Sequence, residues 1–227
     1  MPQTISEAIG NDHKYIDWIH DQIQKSTTDA DKTKWRNQLV WTFARHAISE
    51  ELTMYPTMVE KLGEEGKKMT ETDLEQHQAV RPYTIKSGDK ITSADVLVTQ
   101  IKEDLYTLQS LSPSSPKFAP TLKKLMDDFH THVKHESETD MPAFEKILTR
   151  AESNAMALQF QKTKRITPTR SHPSAPNKPY LENLAGLFAA PIDRLADWVR
   201  SFPDEEEKNM PDEEEAWRGM EGVKAKL

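Results

Sequence analysis

An all-α protein built on an antiparallel bundle of four helices is what this sequence predicts, on three observations. Residues 5–149 carry long runs with apolar residues at helical spacing, they contain few glycines, and no segment alternates apolar and polar residues like a half-buried strand. Short turns between long helices favour antiparallel neighbours.

The first helix is expected over about residues 4–25, with Ile9, His13, Ile16 and Ile23 along one stripe. The second is expected over about residues 31–62, its stripe formed by Leu39, Phe43, His46, Glu50 and Met54. The third begins near Thr70 and includes His77. The fourth follows the SPSSP turn at residues 112–116 and carries Leu122, Leu125, Phe129, His132 and Glu136. Pro82 and the Ser87, Gly88, Asp89 stretch interrupt the third helix. Taking out residues 80–100 joins His77 to Ile101 and places Ile101, Leu105 and Leu108 on one seam with it. Those residues read either as an insertion, including an intron retained in the gene model, or as a genuine surface loop.

The 227 residues are 36 % hydrophobic and 30 % charged, too polar for the whole length to be core. The bundle is assigned to residues 1–150, a Pro-rich linker to 151–182, an amphipathic helix to 183–203 and an acidic tail to 204–227. The amphipathic stripe of Leu184, Leu187, Phe188, Ile192, Leu195, Trp198, Val199 and Phe202 either packs back onto the bundle or meets a partner protein or membrane surface through residues 184–202. Residues 204–215 hold eight acids against Lys208 alone, which accounts for the whole net charge of -7. The remainder is formally neutral, so no nucleic-acid footprint is expected. No apolar run approaches the roughly 20 residues of a membrane span and the first residues lack the pattern of a signal peptide, so a cytoplasmic or nuclear protein is expected.

The chain has no cysteine, which excludes disulfides, thiolate metal sites and cysteine nucleophiles and leaves His and carboxylate as metal ligands. Two segments share one pattern: His46 and Glu50 are followed by Pro56, and His132 and Glu136 by Pro142, both H-x3-E-x5-P. On a helix, residues four apart lie about 40° from one another, so each His and Glu share a face. Both pairs continue apolar stripes, where an ionised carboxylate is costly unless paired or bound to a cation. His13 and His77 add one inward imidazole from each remaining helix. Four imidazoles and two carboxylates suit two metal ions with positions left open for a small molecule, iron first, with manganese or zinc as alternatives. His20 reads as core or as a support to the site, His130 and His135 as exposed or supporting residues, and His172 as a linker residue.

In their order along the chain, His13, FARHAISEELTMYP, EQH and HTHVKHESETDMP resemble the hemerythrin-like proteins with the HHE cation-binding domain, over about residues 5–149. The resemblance implies an up-and-down four-helix bundle around an oxo- or hydroxo-bridged non-haem di-iron centre that binds O2 or a related ligand such as NO or peroxide. It implies His13, His46, His77 and His132 as imidazole ligands, with Glu50 and Glu136 spanning two irons. The third helix departs from the H-x3-H of oxygen carriers: Asp73 stands four residues before His77, and Arg81, or Lys102 without the insertion, four after. Asp73, Glu51 or water completes the shell, and the function shifts from O2 carriage towards sensing, iron handling or redox chemistry. A ferritin-like site needs paired Glu-x-x-His motifs, which are absent here. The alternative reading is an interaction module in which the bundle is a scaffold and the C-terminal helix and acidic tail dock a partner.

Overall fold

The computed structural model describes residues 3–77, 101–165 and 200–210, with side chains described outside 74–77 and 101–103. Its elements in chain order are α1 (Ile5–Lys25), α2 (Asp29–Thr53), α3 (Tyr55–Leu62), α4 (Glu64–His77), α5 (Ile101–Ser110), α6 (Phe118–His135), a π turn (Glu136–Asp140), α7 (Met141–Ile147) and α8 (Arg150–Thr163). The expected all-α fold is the one observed, and the described residues hold no strand.

Local chemistry sets the helix ends. The Thr4 hydroxyl accepts from the Glu7 N–H while the Glu7 carboxylate accepts from the Thr4 N–H, a reciprocal cap that starts α1. The expected second helix is α2 and α3, broken at Met54. Pro56 has no N–H for the ladder and its ring crowds the carbonyl four residues back, so a new segment begins with Pro in its first turn. Pro142 does the same at the start of α7, but there the chain adjusts through the π turn, in which the Met141 N–H donates to the Glu136 carbonyl. The third helix begins at Glu64 rather than Thr70. Gly63 ends α3 at φ 60°, a conformation that favours glycine, and a Cβ on Gly66 would lie 2.1 Å from the Met58 carbonyl oxygen.

Two apolar clusters define the direction of each helix. One contains Ile16, Ile19, Ile23, Trp35, Leu39, Val40, Phe43, Leu105, Leu108, Phe118, Leu122, Leu125, Met126 and Phe129. The other contains Ile5, Ala8, Ile9, Met54, Tyr55, Met58, Met141, Phe144, Met156, Ala157 and Phe160. Helix α1 runs from the second cluster to the first, α2 returns, α4 and α5 run from Met69 beside the second to Leu108 in the first, and α6 returns. That order is up-down-up-down around one axis.

Residues 151–163 are not linker. They form α8, which packs on α1 and α2, and its Met156, Ala157 and Phe160 belong to the second cluster. Thr149 and Glu152 repeat the reciprocal cap of α1. Ser153 in the first turn accepts from the Ile5 N–H at 3.0 Å, tying α8 to the start of the bundle. Residues 200–203, the end of the expected amphipathic helix, are not helical, and there the Asn37 amide donates to the Ser201 carbonyl at 2.8 Å. The first part of the expected acidic tail is also held, the Tyr15 hydroxyl donating to the Lys208 carbonyl at 3.3 Å. The readings of residues 80–100, of the linker past 165, of the stripe from 184 to 199 and of the tail past 210 lie outside the described residues. No described helix is long and apolar enough to cross a membrane.

Phe160 is fully buried at the junction of α8 with the bundle. Phe160→Ala is expected to cost about 3 kcal/mol of unfolding free energy, read by chemical denaturation of the full chain; a loss under about 0.5 kcal/mol would mean that α8 does not belong to the core.

Candidate metal centre

Between the two apolar clusters lies one polar layer. On α1, His13 sits between Ile9 and Ile16. On α2, His46 and Glu50 sit between Phe43 and Met54, and on the fourth strut His132 and Glu136 sit between Phe129 and Met141. The helical period that places each apolar neighbour in a cluster aims these side chains at the axis. All five are buried, Glu50 and Glu136 completely.

Their polar atoms converge. His13 Nε2 lies 3.2 Å from His46 Nε2 and 3.3 Å from Glu136 Oε2; His46 Nε2 lies 3.0 Å from Glu50 Oε1, and His132 Nε2 lies 3.8 Å from Glu136 Oε2. One ligand atom from each of His13, His46 and His132 lies within 4.8 Å of the others, as do atoms of His13, Glu50 and Glu136. Five of the six expected ligands are thus brought together. The sixth, His77, is the last residue of α4, and its side chain lies outside the described residues.

Electrostatics shows what this layer lacks when it holds protein groups alone. Burial, and then the neighbouring His46 and His132, holds the His13 imidazole well below its usual range. Burial, His46 and His135 push His132 down to about 3. Burial and the charges of Glu136 and Asp73 push Glu50 far up, and burial with Asp140 raises Glu136. Neutral imidazoles are the form that ligates metal. Burial and neighbouring charge favour the neutral form of the two carboxyls, a penalty on ionisation that a bound cation would offset, and both Glu136 oxygens are buried without a hydrogen-bond partner. The mixed nitrogen and oxygen donors fit iron, manganese or zinc, and the burial and the orphaned oxygens are what a bound cation would resolve.

Sequence reasoning missed the support of His46. Its Nδ1 faces Asp12 Oδ2 at 3.5 Å, and Lys164, just past α8, places its ammonium 2.6 and 2.8 Å from the two Asp12 oxygens. Burial opposes ionisation of Asp12, but the His46 hydrogen bond and the Lys164 charge outweigh it and hold the carboxyl below its usual range. A carboxylate behind an imidazole fixes its orientation and raises its basicity. Arg45 donates to the Lys164 carbonyl, and the Phe160 ring meets His46 edge-on at 6.1 Å. Lys164 was hidden because the basic stretch around it reads as linker. Asp12 precedes an expected ligand directly, and that adjacency is the signal that was available.

The weaker histidines fall away from the centre. His20 approaches Gln24 at 3.1 Å and His130 pairs with Asp17 at 2.8 Å near the surface. His135 is half-exposed and lies 2.9 Å from Asp140, beside a fully buried Asp73. Burial, then Glu136 and Asp140, pushes the Asp73 carboxyl up to about 9. His172 lies outside the described residues.

Lys164→Met removes the cation that holds Asp12 against His46. Metal affinity of the full chain, measured by chelator competition, is expected to fall about 10- to 100-fold and to recover in Lys164→Arg; affinity unchanged by Lys164→Met would deny Asp12 a part in positioning His46.

A family model described as the hemerythrin HHE cation binding domain matches residues 4–144. The chain is 42 % identical over 200 residues to an uncharacterised hemerythrin-like protein of Schizosaccharomyces pombe, covering 88 % of each. It is 22 % identical over 160 residues, 70 % of its own length, to a protein of a Nostoc species described as a DNA nickase, of which it spans 39 %. No solved structure matches it. The His and Glu layer at the level of the HHE motifs and the match over most of the bundle lead to one conclusion: this chain belongs to the hemerythrin HHE cation-binding family.

Proposed function

We propose that the chain is a non-haem di-iron protein in which His13, His46, His77, His132, Glu50 and Glu136 hold two iron ions and leave a position for O2, NO or peroxide, for sensing, storage or scavenging. The observation that supports this most strongly is the burial of three imidazoles and two carboxylates at one level between two apolar clusters. A pair of irons supplies reversible coordination of a small ligand and exchange of electrons.

The chain's own groups set the conditions for that chemistry. Glu50 and Glu136 approach from opposite struts, each with two oxygens, the donor set that spans two cations. Phe129, whose ring meets His13 at 5.6 Å, and Phe43, which meets Phe129 at 4.8 Å, wall off one side with apolar surface. Phe160 and Met54 do so on the other. Bulk water is thereby kept from the ligands and the local dielectric is lowered. Burial, with the charges of Asp73 and Glu50, keeps the Tyr55 phenol protonated on the carboxylate side. The interaction-module reading rests on residues 184–202, of which 184–199 lie outside the described residues.

Metal content and the absorption spectrum of aerobically purified full chain, before and after dithionite and then air or NO, test the reading. About two irons per chain are expected, with near-ultraviolet charge-transfer bands that bleach on reduction and respond to the added gas. Glu50→Ala or Glu136→Ala is expected to lose both irons together. Protein that stays metal-free after anaerobic iron loading overturns the proposal, and loss of one iron with the other retained overturns bridging by the substituted carboxylate.

A further inference from the structure

We propose that the second metal position is oxygen-rich, built by Asp73 of α4, Asp140 of the π turn and His135 of α6, and that it takes a hard divalent cation of the Mn2+ or Fe2+ kind. This rests on the dinuclear reading above and adds three ligands to the six named there.

One ligand atom from each of Asp73, His135 and Asp140 lies within 4.8 Å of the others. Asp73 and Asp140 are fully buried; both Asp73 oxygens and Asp140 Oδ1 are without a hydrogen-bond partner, and Asp140 Oδ2 has the His135 Nδ1 at 2.9 Å. A buried carboxylate in that condition is expensive, and two side by side more so. Asp73 belongs to α4 and Asp140 to another strut, so the juxtaposition is made by the fold and not by local sequence. Glu136 links the two groups: its charge acts on Asp73 and that of Asp140 on it, while its Oε2 lies 3.3 Å from His13 Nε2 and 3.8 Å from His132 Nε2.

The π turn explains how Asp140 enters. In an α-helix a residue five on from His135 is turned about 140° away. The Met141 N–H bond to the Glu136 carbonyl widens the turn by one residue, and His135 and Asp140 then meet at 2.9 Å with Glu136 inward. Widened turns are frequent at functional sites. Two aspartates and one imidazole, beside the shared glutamates, form a harder donor set than three imidazoles, so the two positions differ in the cation they prefer. The side-chain exposure of 39 % at His135 gives this position the nearer approach to solvent, and its cation exchanges first.

Full chain stripped of metal is titrated anaerobically with Mn2+, and bound Mn2+ is counted and followed by electron paramagnetic resonance. The wild type is expected to bind about two ions with a coupled spectrum, and Asp73→Asn/Asp140→Asn about one with the six-line spectrum of an isolated ion. Two ions retained by that variant overturn this inference and leave the dinuclear reading standing. If the wild type binds only one ion, the dinuclear reading fails and the variant decides this inference by itself: loss of that ion upholds it, retention overturns it. A wild type that binds none overturns both. Should the double variant not fold, His135→Gln carries the test on a half-exposed ring: about ten-fold weaker binding of the second ion is expected, and unchanged affinity overturns the assignment.

Discussion

Four carboxylates, Glu50, Glu136, Asp73 and Asp140, are held in the interior of this bundle with no surface exposed, and that is the constraint on which the rest of the structure depends. Charges in such a place oppose folding unless something cancels them. Around them burial holds the His13 and His132 imidazoles well below their usual range, so these rings offer lone pairs rather than positive charge. Cations are the component that makes ionised glutamates and neutral histidines compatible at one level of a core. The apolar clusters above and below are large, so the helices align by hydrophobic burial, and that alignment brings the polar layer together.

Two departures from straight helices shape the layer. At Pro56 the chain breaks and restarts, and at Pro142 it widens into a π turn. The same sequence pattern thus has two structural outcomes, and the second turns Asp140 towards Asp73. Helix α8 closes the arrangement from outside the span matched by the family model, which ends at residue 144. It buries Phe160 against His46 and brings in Lys164, which holds Asp12, which faces His46. A charge beyond the bundle helices is coupled in this way to an imidazole at the axis.

The bundle and five of its site residues were legible because the 3.6-residue period ties each of them to an apolar stripe: His13 follows Ile9, Glu50 follows Phe43 and His46, and Glu136 follows Phe129 and His132. What escaped did so for physical reasons. Asp140 stands five residues after His135, a spacing that an α-helix does not bring onto one face, and the π turn has no periodic signature in sequence. Helix α8 presents only Met156, Ala157 and Phe160 to the core across a polar stretch, so composition read it as linker. The start of α4 was placed late because its first turns are charged and glycine-containing, while the close approach at Gly66 is a property of the packed α3 and α4. Asp73 was read as one of several candidates to complete the shell, since only the fold brings it beside Asp140.

Cations that neutralise this buried layer would be visible where they bind. Diffraction from crystals of the iron-loaded full chain, collected above and below the iron absorption edge, tests for them most directly. Two anomalous peaks are expected inside the bundle, about 3.5–4 Å apart, one against His13, His46 and His132 and the other against Asp73. A map without an anomalous peak in that layer, with Glu50 and Glu136 hydrogen-bonded to protein groups or water instead, would contradict neutralisation by cations.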